Sequence, residues 1–281
     1  MVCGMSESLG VESILSKARE KEGEYDWLGA VEFYEKALGL VSERDFLKMG
    51  EVQERIGYAF YRAAMQAESV EQFRKRMQEA VANYGKAKEF YEGASELEKT
   101  ARMLRCDAVI AYMGYWLASE VSEKKRLLDE CWRLTKEALK AFEEAGNALE
   151  YGKTYNQFSS TAYHIFNFSW NFQAREKIIN EAMRYGERAI TLLSDVGDSY
   201  ELARAYVKTA IYLALVGWYF IPDIDEKDKH YSKAQGYWQK AKEFSEEAAL
   251  LELLTGGEAG EFWSVDEQIT NYEKALGCAK K

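Results

Sequence analysis

Residues 30–40 read AVEFYEKALGL and residues 269–278 read ITNYEKALGC, so the letters YEKALG occur near both ends of this 281-residue chain. They belong to a longer pattern: a small residue, an aromatic four positions on, and an alanine three after that. Ala30, Tyr34 and Ala37 are the first copy. The later copies are Ala80, Tyr84, Ala87; Cys131, Thr135, Ala138; Ala182, Gly186, Ala189; Ala234, Trp238, Ala241; and Gln268, Tyr272, Ala275. The first, second and fifth copies fit at every position. The starts at 30, 80, 131, 182, 234 and 268 are 50, 51, 51, 52 and 34 residues apart. A fixed period over most of a chain marks a repeat array.

The i, i+4, i+7 spacing places the three positions on one face of a helix. Small side chains there let a neighbouring helix approach, and the aromatic fills the space beside it. A partner helix is expected before each copy. RIGYAFYRAA (55–64), CDAVIAYMGYWLA (106–118), FSSTAYHIFNFSW (158–170) and ARAYVKTAIYLALVGWYF (203–220) carry the required apolar spacing. Capping boxes are expected at Ser69-x-x-Gln72, Ser95-x-x-Glu98, Asp198-x-x-Glu201 and Ser264-x-x-Glu267. Gly93, Gly146, Gly197 and Gly256 stand where helices should stop. The single proline, Pro222, leaves long helices uninterrupted. The expectation is an all-α, right-handed solenoid of about eleven helices in antiparallel hairpins. It is one repeat domain over 1–281, with repeats at roughly 8–42, 45–93, 95–145, 147–196 and 198–250 and a terminal helix at 264–280.

The chain resembles the tetratricopeptide-repeat family. The resemblance is carried by GEYDWLGAVEFYEKALGL (23–40), ERIGYAFY (54–61) with ANYGKA (82–87), and NYEKAL (271–276). Ile56-Gly57 and then Phe60 match the first-helix part of the family motif; Ala80, Tyr84 and Ala87 match the second. The inner repeats are longer than the family's roughly 34 residues, so both helices of each hairpin are expected to be lengthened. Glycine stands where the family places proline. The resemblance implies binding of other proteins on a groove lined by first helices. The family's chaperone-tail clamp needs an asparagine that the stretch from Glu54 to Tyr58 does not supply.

A net charge of -10 argues against nucleic acid and against an anionic membrane surface. No apolar run is long enough to span a bilayer, and the N-terminal stretch lacks the pattern of a signal peptide. A cytoplasmic protein with reduced thiols is expected, since Cys3, Cys106, Cys131 and Cys278 form no CxxC pair. With His164 and His230 they give no zinc spacing. No cofactor is expected. Phosphate-binding loop motifs are absent, and TGGEAGE (255–261) reads as a loop. DIDEKD (223–228) lacks the glycine and final glutamate of a calcium loop and reads as a solvated loop. No catalytic constellation emerges, so the protein is expected not to be an enzyme.

One feature goes beyond architecture. A basic cluster precedes each inner copy: Arg74-Lys75-Arg76, Lys124-Lys125-Arg126, Arg175 with Lys177, and Lys227, Lys229 with His230. Positive charge in a helix's first turns opposes its dipole, so its repetition invites a functional reading. Aromatics crowd the end of the preceding helix: Tyr61, Tyr115 with Trp116, Phe168 with Trp170, and Trp218 with Tyr219. The expected site is therefore Tyr61, Tyr115, Trp116, Phe168, Trp218 and Tyr219 with Arg74, Lys75, Lys124, Lys125, Arg175 and Lys177. The expected partner is another protein or peptide, with acidic character favoured by the basic edge. The competing structural reading has Glu71, Glu123, Glu176 and Glu226 neutralising these bases. The alternatives are a ligand-sensing module of a signalling system, or a scaffold that self-associates through the terminal helix.

Overall fold

A computed structural model describes residues 3–94 and 96–245. Among these residues there are ten helices and no strand. They are α1 (Cys3–Gly23), α2 (Trp27–Leu38), α3 (Phe46–Met65), α4 (Val70–Glu92), α5 (Glu96–Leu117), α6 (Val121–Glu144), α7 (Ala148–Phe168), α8 (Phe172–Val196), α9 (Ser199–Tyr219) and α10 (Ile224–Phe244). The chain divides into two compact units between Ala141 and Phe142. Consecutive helices pack in each: α1 on α2, α2 on α3, α3 on α4 and α4 on α5 in the first, α7 on α8, α8 on α9 and α9 on α10 in the second. In the second unit α7 also reaches past α8 to α9. This is a helical-repeat fold. The sixth motif copy, the terminal helix expected at 264–280, Gly256, and the caps at Ser95 and Ser264 lie outside the described residues.

The motif positions of α2, α4, α6, α8 and α10 are all buried. Each alanine admits the facing helix, and each aromatic fills the space opened. Gly57 of α3 shows how tight this is: a methyl group there would stand 2.6 Å from the Tyr84 ring and 3.3 Å from the Ala80 carbonyl oxygen. In the second unit Gly186 holds the aromatic position. Tyr155 from α7 and Thr209 from α9 fill that space instead, leaving no room for a Cβ on Gly186. Such packing at near-crystalline density is the main support of the fold.

The caps explain the helix starts. Ser69 accepts from the Gln72 amide at 3.2 Å and Asp198 from the Glu201 amide at 2.9 Å, as expected. Asp26, Asp45, Asn147 and Asn171 cap α2, α3, α7 and α8 in the same way. Asp223 accepts from the amides of Asp225 and Glu226 and so starts α10. DIDEKD is therefore a helix start, not the solvated loop its composition suggests, because Asp223 satisfies two amides that would otherwise lack partners. Gly146 and Gly197 take positive φ of 70° and 80°, as stop signals require. Gly93 does not: it stays right-handed and is small because the Phe46 ring covers it. Among the described residues, no helix is long and apolar enough to cross a membrane.

Candidate functional site

The basic clusters meet the helix that precedes their own. Arg76 donates to the Ala63 carbonyl at 2.7 Å, Arg175 to the Ser169 carbonyl at 2.5 Å, and Lys227 to the Trp218 carbonyl at 3.5 Å. These carbonyls lie at the C-terminal ends of α3, α7 and α9. A cation that opposes the dipole of its own helix thus complements the dipole of the antiparallel neighbour. The repeated bases have a structural reason that the reading of single helices missed.

Two of these cations, and Lys124 of the remaining cluster, lie over rings. Lys124 sits 5.8 Å from the Tyr115 ring, Arg175 4.9 Å from Phe166, and Lys227 5.8 Å from Trp218. Others are held by acids on their own helix: Lys125 by Asp129, Arg126 by Glu123, and Lys229 by Glu226. Among the described residues, Arg74, Lys75 and Lys177 are exposed and make no such contact. The uncommitted positive charge of the edge is therefore smaller than its sequence count.

In the first unit the expected aromatics belong to one row of rings. Tyr25, Trp27, Tyr58, Tyr61, Tyr112 and Tyr115 succeed each other at centroid distances of 6.4, 5.9, 6.4, 6.5 and 6.1 Å. Trp116 closes the row, edge-on to Tyr115 at 5.1 Å. Tyr61 and Tyr115 are buried and Trp116 half-buried, so the part of the row on α3 and α5 is packing between first helices, whereas Tyr25 at its start is half in solvent. Arg62 adds a cation over Trp27 at 4.9 Å.

The second unit leaves its rings in solvent. Trp218 and Tyr219 end α9 and are 43 % and 47 % exposed. Trp170, in the turn before α8, is 98 % exposed, and Phe172 57 %. Phe168 is half-buried at the end of α7. Phe166, which is buried, Phe172 and Phe220 pack with these rings and were not expected; Phe166 lies three residues after Tyr163 and Phe172 four after Phe168, whereas Phe220 directly follows Tyr219.

A second inner feature joins successive first helices. Glu22 of α1 pairs with Arg55 of α3. Glu54 of α3 pairs with Arg105 of α5 at 2.6 Å, and Glu51 with Arg102 at 3.0 Å. The Cys106 thiol donates to Glu54 at 3.2 Å; burial, then the Glu54 charge, pushes that thiol well above its ordinary pKa, which makes it inert as a nucleophile. In the second unit Asn156 of α7 donates to the Glu201 backbone and carboxylate, both at 2.8 Å. Arg204 holds the same carboxylate at 3.1 Å. No sequence signal announced the pairs between helices, whose members stand 33 to 52 residues apart; Arg204 and Glu201 are three apart on one helix. Among the described residues no group of acids, histidines and cysteines is arranged to hold a metal ion.

No family model matches the chain, and no curated protein matches it in sequence. Solved structures resemble it in fold. The aspartyl phosphate phosphatase F of Bacillus subtilis aligns over 98 % of this chain with a TM-score of 0.53 at 17 % identity. This chain spans 61 % of that protein's length. The Rap conjugation gene regulator of plasmid pLS20, solved with the Phr* peptide, aligns over 100 % of this chain and 78 % of its own, with a TM-score of 0.39 and 15 % identity. A de novo designed helical repeat protein aligns over 74 % of this chain and 98 % of its own, with a TM-score of 0.37 and 20 % identity.

Proposed function

We propose that this protein is a non-catalytic, tetratricopeptide-like adaptor that binds another protein or peptide through side chains at the turn ends and inner faces of its hairpins. The repeats at 8–42, 45–93, 95–145, 147–196 and 198–250 would act as one binding domain. The observation that carries the reading is the second unit's turn end, where Trp170, Phe172, Trp218 and Tyr219 all stand in solvent. Large exposed aromatic clusters are rare except at interaction sites. The uncommitted cations Arg74, Lys75 and Lys177 would add preference for acidic partners.

The test is capture of partners from host lysate by the full chain, beside two variants. One carries Arg74→Ser, Lys75→Ser and Lys177→Ser; the other carries Trp170→Ala and Phe172→Ala. A protein retained by the wild type and lost by either variant supports the adaptor and assigns its surface. No protein retained by the wild type overturns the reading.

The likeness to a protein named as an aspartyl phosphate phosphatase favours a second reading, a regulatory module of a signalling system. Release of phosphate from an aspartyl-phosphate protein on addition of this chain would favour that reading instead.

A further inference from the structure

The position directly after the motif's last alanine is a contact position. On α6 and α8 it is taken by Leu139 and Ile190, both buried. On α4 it is Lys88, which pairs with Asp107 of the following helix, 19 residues later, at 2.8 and 2.9 Å. On α10 it is Lys242. Lys242 lies 5.5 Å over the Trp238 ring and has no carboxylate partner among the described residues. Nor has Lys240, 5.7 Å over Tyr206. Trp238 is buried, yet its indole N–H has no acceptor among the described residues. At the end of the same helix Phe244, stacked on Tyr206 at 5.8 Å, is 44 % exposed. A cation, a buried donor and a half-exposed ring on α10 thus lack the neighbour that α5 gives to α4.

We propose that residues 246–267 of this chain are that neighbour: they dock on the Lys242–Trp238 face of α10, with Glu261 paired to Lys242. Register is the first argument. Glu261 stands 19 residues after Lys242 (261 − 242), the separation of Asp107 from Lys88. Charge is the second. Residues 246–267 carry seven acidic residues and no Lys or Arg, and they follow directly on a helix whose Lys240 and Lys242 have no acid among the described residues. A carboxylate brought to Lys242 also arrives beside the Trp238 ring, as a charged acceptor for its indole N–H. Reach is the third. The 16 residues from Ser245 to Glu261 (261 − 245) can extend to about 50 Å, so the chain returns to Lys242 with slack. Leu250, Leu251, Leu253 and Leu254, early in the segment, supply apolar cover for Phe244. The inference goes beyond the adaptor reading and does not depend on it. Its consequence is that the α10 face is closed against a second copy, which could otherwise extend the array there.

Hydrogen–deuterium exchange of the full chain, read by mass spectrometry, tests the docking. In the wild type the amides of 246–267 should exchange at least about tenfold more slowly than in a synthetic peptide of that sequence. Lys242→Glu should remove this protection while α3 and α4 keep theirs. Lys242→Glu combined with Glu261→Lys should restore it, because the pair is then reversed rather than broken. Exchange in the wild type as fast as in the peptide, protection unchanged by Lys242→Glu, or no recovery in the double variant would each overturn the proposal. So would protection that grows with protein concentration in step with mass, because the segment would then dock on a second copy. Saturable binding of an acidic Glu–Ala peptide that Lys242→Glu abolishes, with 246–267 unprotected, would give the face to a separate acidic partner and overturn it too. A lysate partner captured by a wild type whose 246–267 amides are unprotected sinks this inference and leaves the adaptor standing.

Discussion

The two units solve one packing problem with different chemistry. Gly50 of α3 lies under Tyr91, and Gly152 of α7, 102 residues later (152 − 50), lies under Leu193. At the same offset, Glu54 becomes Asn156 (156 − 54 = 102). Glu54 forms an ion pair with α5, whereas Asn156 donates amide hydrogen bonds to α9. The large and small partners are exchanged as well: Tyr84 fills the space beside Gly57, whereas Tyr155 fills the space beside Gly186. The turn ends differ in outcome. The first unit buries Tyr61, Tyr112 and Tyr115, and the second exposes Trp170, Phe172, Trp218 and Tyr219. What recurs is the close approach of helices. The groups that achieve it are free to change, and so is the surface left over for binding.

The largest expected effect lies at Glu54. Glu54→Ala leaves the buried Arg105 without its carboxylate and should cost about 3–5 kcal/mol. Asn156→Ala should cost only about 1–3 kcal/mol, because Arg204 still neutralises Glu201. Urea unfolding monitored by circular dichroism measures both, and equal losses would break the contrast. The double substitution Glu54→Met with Arg105→Met should recover most of the loss, since neither charge is then stranded.

The exchange of large and small partners gives the next effect. Gly186→Ala should cost about 1–3 kcal/mol by overpacking against Tyr155 and Thr209. Adding Tyr155→Phe removes the hydroxyl in the way and should return part of it. Additive losses in a double-mutant cycle would show that the two side chains do not share that space.

Alkaline titration probes what the units have in common. Burial, reinforced by Glu54, raises the Tyr84 and Tyr91 hydroxyls far above their ordinary pKa. Burial does the same to Tyr151, Tyr155 and Tyr212. A group whose pKa is raised by folding contributes stability that is complete below its unfolded value, about 10 for tyrosine, and lost as pH climbs toward the folded value. The tyrosine contribution should therefore be lost only above about pH 10, after that of Cys106, whose raised thiol begins to cost stability above about pH 8.5. Tyrosinate absorbance from these residues should emerge together with unfolding. Ionisation of the buried tyrosines before any loss of helix would contradict the burial described.

The smallest effect is expected at Trp170. Trp170→Ala should change stability by no more than about 0.5 kcal/mol, since its ring is 98 % exposed. A larger loss would mean that the ring serves the fold, and the contrast between the turn ends would narrow.

Much of this was legible because it is local. Ala80, Tyr84 and Ala87 declared their shared face by spacing alone. Ser69 and Asp198 declared helix starts through Gln72 and Glu201, each three residues further on. Asp26, Asp45, Asn147 and Asn171 were equally local but hid among other acidic and amide residues. The candidate site was half legible. The aromatics and bases were named, yet their burial and commitments were not, so Tyr61 and Tyr115 emerge as core while Trp170 emerges as surface. Helical period and capping depend on residues within one turn of each other, so the repeat, the helices and the faces they bury were readable in the chain itself. It took the packing of whole helices to set Arg76, Arg175 and Lys227 on a neighbour's carbonyls, to bring Glu54 to Arg105, and to choose which rings remain in water. Those outcomes depend on where antiparallel helices bring residues far apart in sequence, and no local periodicity encodes that distance.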